Sequence, residues 1–146
     1  MKQQLDDENI RQLAAYRIER AKETLLEADL LINGGCYNAA VNRLYYACYY
    51  AVIALLVKNR IAAQTHDGVK QMFGLHFIVS GRLDRKYSRF YSQLFNARMS
   101  GDYDDFLFYD AEMLAALRPQ AEEFVVAIEE QLKNQDHDKE RSNQNF

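Results

Sequence analysis

The sequence predicts an all-α protein, a single domain folded as a helical bundle. Its 146 residues include only one proline and six glycines, and this scarcity of helix breakers favours long helices over strands and turns. Hydrophobic residues make up 49% of the chain, which is enough for one sizeable core. Over long stretches these apolar residues recur at spacings of three and four, which is the period of an amphipathic helix.

The first two predicted helices make up the N-terminal part of the chain. Acidic residues at positions 6–8 suit the positive end of a helix dipole, and Gly34-Gly35 is a typical helix stop. The second helix, from about Tyr37 to Lys58, is apolar on nearly every side and is therefore predicted to be central. It carries Arg43, which needs a carboxylate or carbonyl partner. An ion pair with an acid of another helix is one reading, and a ligand contact is the other.

The third and fourth helices follow a short loop. Thr65 can cap a third helix that runs to about Val79, where Ser80-Gly81 ends it. The fourth helix is predicted to start near Asp84 and to end at Ser100-Gly101. Its aromatic residues repeat at helical spacing, which is typical of a core stripe.

The last predicted helix is capped by Asp110, after an extended connection over residues 103–109. Pro119 lies within its apolar pattern and should kink or split it. Beyond Lys133 the chain is polar, so the domain is predicted to span residues 8–133 and residues 134–146 to form a frayed, disordered tail.

Charge is distributed unevenly along the chain. Residues 58–98 carry eight basic and two acidic side chains, a sum of +6, whereas residues 99–146 carry four basic and twelve acidic ones, a sum of −8. The basic block either pairs with the acidic last helix or presents a cationic face to an anion such as RNA. No secretory signal and no run of about 20 apolar residues is visible, so a cytoplasmic protein that does not enter a membrane is expected.

Known catalytic and metal-binding patterns are absent from the sequence. It has no phosphate-binding glycine loop and no paired Cys-x-x-Cys, and its three histidines do not share a helix face. We therefore expect no metal and no cofactor. His66 lies at a predicted helix start, where it either packs the helix entry or contacts an anion. Arg98 and Asp102 are four residues apart, so they either form an intrahelical pair or leave Arg98 free to bind phosphate.

Three segments in this order resemble the HEPN-domain family: Ala40 to Ala47 (AVNRLYYA), Thr65 to Val69 (THDGV) and Arg98 to Tyr103 (RMSGDY). The resemblance covers roughly residues 10–133 and is closest to the branch whose motif ends in Asp-Tyr. It implies an up-and-down bundle of four to five helices, a homodimer, and a small nucleotidyltransferase partner, often in a toxin–antitoxin pair. The candidate ligand-binding residues of the sequence are Arg43, Tyr46, His66, Arg98 and Tyr103.

Active members of that family are metal-independent ribonucleases whose motif is an arginine followed four to six residues later by a histidine. In this chain Arg98 is present, but Tyr103 stands where that histidine would be. A tyrosine with a pKa near 10 is a poor base at neutral pH, and Arg98 would weaken Asp102 as a base by lowering its pKa. The catalytic candidates are therefore Arg98, Asp102 and Tyr103, and the resemblance does not carry the activity over.

Three functional hypotheses follow from the sequence. The first is a HEPN-like module that binds a nucleotide, RNA or a nucleotidyltransferase partner around Arg98. The second is a divergent metal-independent endoribonuclease that uses Arg98 with Asp102 or Tyr103. The third is a structural dimeric interaction module in which Arg98 and Asp102 form a salt bridge.

Overall fold

The computed structural model describes the backbone of residues 6–103 and 108–144, and the side chains of residues 6–99 and 108–136. It contains five α-helices, which are α1 (Asp7–Asn33), α2 (Tyr37–Lys58), α3 (His66–Phe73), α4 (Arg85–Tyr103) and α5 (Ala111–Gln144). A π-helical segment, Gly74–Ile78, directly follows α3. Every regular element in these ranges is helical, so the predicted all-α bundle is confirmed.

α2 is the central helix, as its all-round apolar pattern predicted. It packs against α1, α3, α4 and α5. Half of its residues are buried, and its alanines allow neighbouring helices to approach closely. These buried residues are Ala40, Val41, Leu44, Tyr45, Ala47, Cys48, Ala51, Val52, Ala54, Leu55 and Leu56.

The length and composition of α2 would also suit a membrane-spanning helix. However, 61% of its most apolar stretch is buried inside the bundle, and the core helices of water-soluble proteins pass the same test. Burial against four other helices accounts for the apolar character of α2 without a membrane.

The helix caps lie where the sequence predicted them. The Asp6 carboxylate accepts a hydrogen bond from the Asn9 backbone N–H at 2.8 Å, and Asp110 does the same for Met113 at 2.8 Å. The Thr65 hydroxyl accepts from the Gly68 N–H at 2.9 Å. Each cap satisfies a backbone donor that has no partner within its own helix.

Two predicted helix ends differ from the structure. α3 stops at Phe73, because the next five residues adopt the wider π-helical turn. α4 continues through Ser100 and Gly101 to Tyr103, so the segment after Arg98 is helical where the sequence predicted an exit. Glycine lowers helix stability by only about 1 kcal/mol, which neighbouring helical residues can offset.

The sequence predicted that Pro119 would kink or split the last helix, and α5 passes Pro119 without being split. Proline removes the backbone N–H that would bond to the carbonyl of Ala115. Ala115 and Pro119 are both exposed, so water can satisfy that carbonyl. The Gln120 side chain also donates to the neighbouring Ala116 carbonyl at 2.9 Å.

α5 also extends past Lys133 to Gln144, where the sequence predicted a frayed tail. Two contacts hold its first added turn against the end of α2. Gln135 and Asn59 exchange side-chain hydrogen bonds at 3.0 and 3.3 Å, and Lys58 forms an ion pair with Asp136. The apolar stripe of α5 ends at Leu132, and beyond it polar contacts join α5 to the end of α2.

The basic block pairs partly with the acidic last helix, as one reading of the sequence proposed. Lys58 contacts Asp136, and Lys86 contacts Glu123 at 2.7 Å. Arg98 differs from these lysines, because no carboxylate among the described side chains lies within salt-bridge distance of it.

Candidate functional site

The candidate site forms where α1, α2, α4 and the start of α3 meet. Tyrosines of α2 lie at its centre, a histidine enters from the N-terminus of α3, and one arginine comes from each of α1 and α4. We call this set the arginine–histidine cluster, and it consists of Arg17, Tyr45, Tyr46, Tyr49, His66 and Arg98.

A hydrogen bond, a stacked ring and a helix cap together restrain His66. The Tyr45 hydroxyl is hydrogen-bonded to its Nδ1 atom at 2.7 Å. Its ring stacks on Tyr49 with a centroid distance of 4.6 Å and an interplanar angle of 24°. Thr65 caps the helix that carries it, and a side chain at Gly68 would place a Cβ atom only 3.0 Å from the capping hydroxyl. The imidazole orientation is therefore set by packing and not by solvent.

The Thr65→Ala variant is expected to loosen this histidine. Loss of an N-cap costs about 1 kcal/mol of folding free energy, because a helical N–H loses its acceptor. Urea denaturation measures that cost, and the NMR signals of His66 report its environment. Asp6→Ala removes an equivalent cap from α1 and is the control. It should lower stability by a similar amount without moving the His66 signals, and an equal response of His66 in both variants would contradict the expectation.

Arg98 approaches the same tyrosines from α4. Its guanidinium carbon lies 5.4 Å from the centroid of the Tyr45 ring and 5.3 Å from that of Tyr46, within the range of cation–π attraction. Its Nη1 atom contacts the Met99 sulfur at 3.7 Å, which is a weak acceptor. Its Nε atom is buried and has no hydrogen-bond partner among the described residues.

Arg17 of α1 is a member of the cluster that the sequence analysis did not select. Its Nε atom is also buried, and no group in the described part of the chain forms a hydrogen bond with it. Burial raises the pKa of Tyr49, and the positive charges of Arg17 and Arg98 both oppose that rise. The Tyr49 hydroxyl is therefore within electrostatic reach of both guanidinium groups. The signal available in the sequence was a cation on the otherwise apolar stripe of the first helix.

The electrostatics of the cluster keep His66 neutral. Burial lowers the pKa of His66, the Arg98 charge lowers it further, and Asp67 opposes both effects. Burial raises the pKa of Tyr45 to about 12 despite the nearby Arg98, so this hydroxyl keeps its proton at neutral pH. The cluster therefore combines two cations with neutral hydrogen-bonding groups.

Arg43 has the carboxylate partner that the sequence required. Its guanidinium lies 3.5 Å from Glu27 of α1 and 5.0 Å from the centroid of the Tyr46 ring. Its side chain is 30% exposed, so this ion pair lies at the edge of the cluster and is not buried. Tyr46 connects Arg43 to Arg98, since both cations contact its ring.

Two predicted site residues, Asp102 and Tyr103, belong to α4 by their backbone, but their side chains lie outside the described residues. The helical backbone does place Arg98 and Asp102 four residues apart on a continuous helix. Among the described side chains, no group of three or more His, Cys, Asp or Glu residues is placed to hold a metal ion.

Comparison of the sequence with known proteins finds a family whose model covers most of the chain. The model of the HEPN domain matches residues 14–132. A protein of Thermotoga maritima named "UPF0332 protein" is 34% identical over 119 residues, which are 82% of this chain and 90% of that protein. A Methanocaldococcus jannaschii protein named "Putative toxin MJ0605" is 33% identical over 116 residues, covering 73% of this chain and 87% of its own length.

Proposed function

This chain belongs to the HEPN domain family, and from that membership we propose that it is a toxin-like module that binds the phosphate group of RNA or of a nucleotide through the arginine–histidine cluster. The anion lies against Arg98 and Arg17, and His66 borders it. The name of the Methanocaldococcus jannaschii relative supports the toxin-like character.

The observation that supports the proposal is a pair of buried guanidinium Nε atoms, on Arg17 and Arg98, for which the described ranges of the chain supply no acceptor. A buried N–H donor that lacks an acceptor costs about 1–3 kcal/mol, and more when the group is charged. Guanidinium groups present a planar set of donors that matches phosphate oxygens. A phosphate between the two helices would supply acceptors and would neutralise the charge at the same time.

The aromatic side chains around these cations suit a nucleotide ligand. Tyr46 and Tyr49 are partly exposed beside His66, and Tyr16 is 60% exposed beside Arg17, with the guanidinium carbon 5.8 Å from its ring centroid. Exposed rings next to a phosphate site offer stacking surfaces that tolerate any base. This combination favours a single strand or a mononucleotide over a rigid duplex.

Fluorescence anisotropy with a short single-stranded RNA, and calorimetry with ATP, test this function. Arg98→Ala and Arg17→Ala are each expected to weaken binding about 10-fold to 100-fold, because a hydrogen bond to a charged group is worth about 1.5–3 kcal/mol. Arg89→Ala is the matched control, since it removes an exposed arginine from the same helix as Arg98. Equal affinities for all four proteins, or no binding by the unchanged protein, would favour a purely structural interaction module.

We further propose that the protein is cytoplasmic, forms a homodimer and pairs with a small nucleotidyltransferase. The support for the partner is the toxin name of the Methanocaldococcus jannaschii relative, since a toxin requires a component that restrains it. Sedimentation of the purified chain, alone and after co-expression with candidate nucleotidyltransferases, measures the assembly.

A further inference from the structure

Two adjoining cavities lie along the seam between α1 and α5, in the half of α1 that begins at its N-terminus. The polar cavity has a volume of about 480 Å³, and its walls include Lys58 and Arg82. The apolar groove has a volume of about 190 Å³, and its walls include Ala14, Ile18 and Leu132. We propose that the two together form a binding site for a small carboxylate with an apolar body, such as a short fatty acid.

Lys58 of α2 joins the two cavities, because its side chain lines both of them. Only 14% of that side chain is exposed, so it forms part of the floor of the seam. Neighbouring residues of the outer helices divide in the same way. Ile10 and Gln131 line the polar cavity, whereas Arg11 and Leu132 line the apolar groove. The two cavities are therefore continuous parts of one seam and can receive one ligand.

The polar cavity has an excess of one positive charge. Lys58 is balanced by its ion pair with Asp136, and Asp7 is balanced by Arg60 at 3.2 Å. Arg82 is the remaining charged residue in the walls of this cavity. No carboxylate among the described side chains lies within salt-bridge distance of Arg82. A ligand with a single negative charge would neutralise this excess, which favours a carboxylate over a doubly charged phosphate.

The donors of the polar cavity also suit a carboxylate. The Arg82 guanidinium carbon lies 5.8 Å from the ring centroid of the buried Phe77, and a guanidinium presents parallel N–H donors that match two carboxylate oxygens. No residue in the described ranges forms a hydrogen bond with the side-chain amide of Gln131. Asn59 and Gln135 instead exchange hydrogen bonds at 3.0 and 3.3 Å and form a fixed wall. Arg82 and Gln131 are therefore the groups available to the ligand.

The apolar groove accounts for the other half of the ligand. Ala14, Ile18 and Leu132 are buried side chains, and the exposed Ala15 lies beside them. Burial of hydrocarbon against such a surface is favourable in proportion to the area removed from water. A chain of methylene groups attached to the carboxylate would cover this surface, whereas an inorganic anion would leave it in contact with water.

This seam is separate from the arginine–histidine cluster. Ile18 lines the groove and Arg17 belongs to the cluster, and successive residues of an α-helix point roughly 100° apart. The two sites therefore use different faces of α1. Carboxylate binding at the seam does not depend on phosphate binding at the cluster, so each can fail without the other.

Sodium octanoate is the probe, and calorimetry on the full chain measures its binding. Octanoate is expected to bind at least about 10-fold more tightly than acetate, which lacks the chain, or 1-octanol, which lacks the charge. Arg82→Gln should weaken octanoate binding about 10-fold, because it removes a charged hydrogen-bond donor. Arg85→Gln is the matched control, since Arg85 is exposed and lines neither cavity. Equal losses in the two variants, or no loss in Arg82→Gln, would overturn the carboxylate site.

A second pair of variants tests the groove. Ala15→Trp places an indole over its floor and should weaken octanoate binding about 10-fold or more, whereas Ala116→Trp changes an exposed alanine outside both cavities and should not. Circular dichroism checks that both variants are folded. Arg98→Ala should bind octanoate as the unchanged protein does. Loss of octanoate binding in Arg98→Ala and not in Arg82→Gln would place the carboxylate at the cluster and contradict the seam.

NMR of the isoleucine methyl groups locates the ligand without an activity. Octanoate should shift the signals of Ile10 and Ile18, which line the polar cavity and the groove, and leave Ile53, which lines neither. A shift of Ile18 alone would mean an adventitious additive only, and the site would be wrong. No octanoate binding, with a change in sedimentation caused by Ala15→Trp, would assign the groove to a second copy of the chain. Either result leaves RNA binding at the cluster standing.

Discussion

Phe124→Ala is expected to lower the free energy of unfolding by about 3–5 kcal/mol, which is the usual cost of removing a buried aromatic side chain. Phe124 of α5 is fully buried, and aromatic rings from α3 and α4 surround it. Its ring stacks on Tyr91 at 5.9 Å with an interplanar angle of 16° and lies 5.7 Å from Phe73. The substitution would leave a cavity between α3, α4 and α5.

Urea denaturation followed by circular dichroism measures the loss. Val126→Ala is the control, because Val126 lies two residues further along the same helix and is 45% exposed. We expect that control to change stability by no more than about 0.5 kcal/mol. Phe124→Leu fills part of the cavity and keeps the test informative if the alanine variant is unfolded. Similar losses for Phe124→Ala and Val126→Ala would contradict the position of Phe124 in the core.

Arg98→Met is expected to have the opposite effect on the ligand-free protein and to raise its stability by about 1 kcal/mol. The substitution removes a cation whose Nε atom is buried without an acceptor, and methionine keeps the aliphatic contact with the Tyr45 and Tyr46 rings. Arg118→Met is the matched control. Arg118 forms two hydrogen bonds with Asp29, at 2.6 and 3.0 Å, so its loss should lower stability by about 1 kcal/mol.

In the presence of ligand, the unchanged protein is expected to become more stable than Arg98→Met. At a nucleotide concentration 100 times Kd, a ligand that binds only the folded state adds about 2.7 kcal/mol. Thermal denaturation with and without ATP should show that gain in the unchanged protein and in Arg118→Met, and not in Arg98→Met. If Arg98→Met is less stable than the unchanged protein without ligand, then Arg98 is already well paired and the phosphate site is wrong.

The sequence allowed most of the helical framework to be predicted. The stops at Gly34-Gly35 and the caps at Thr65 and Asp110 are confirmed, because capping depends on residues within one turn. The ends of α3 and α4 were not predicted, and neither was the passage of α5 through Pro119. At Pro119, the exposure of Ala115 lets water replace the hydrogen bond that proline removes, so the local preference against a helix does not decide the outcome.

Local sequence was therefore sufficient for the fold class, for the central position of α2 and for the choice of Arg98 and His66 as candidates. It could not identify Arg17 as a neighbour of Tyr49, or Tyr45 as the partner of His66. These relations join residues from separate helices, and they depend on how each helix is rotated and shifted against α2. Periodicity assigns a residue to a helix face, but only packing brings the faces of different helices together. The arginine–histidine cluster, with two guanidinium Nε atoms that lack an acceptor among the described residues, is a product of that packing.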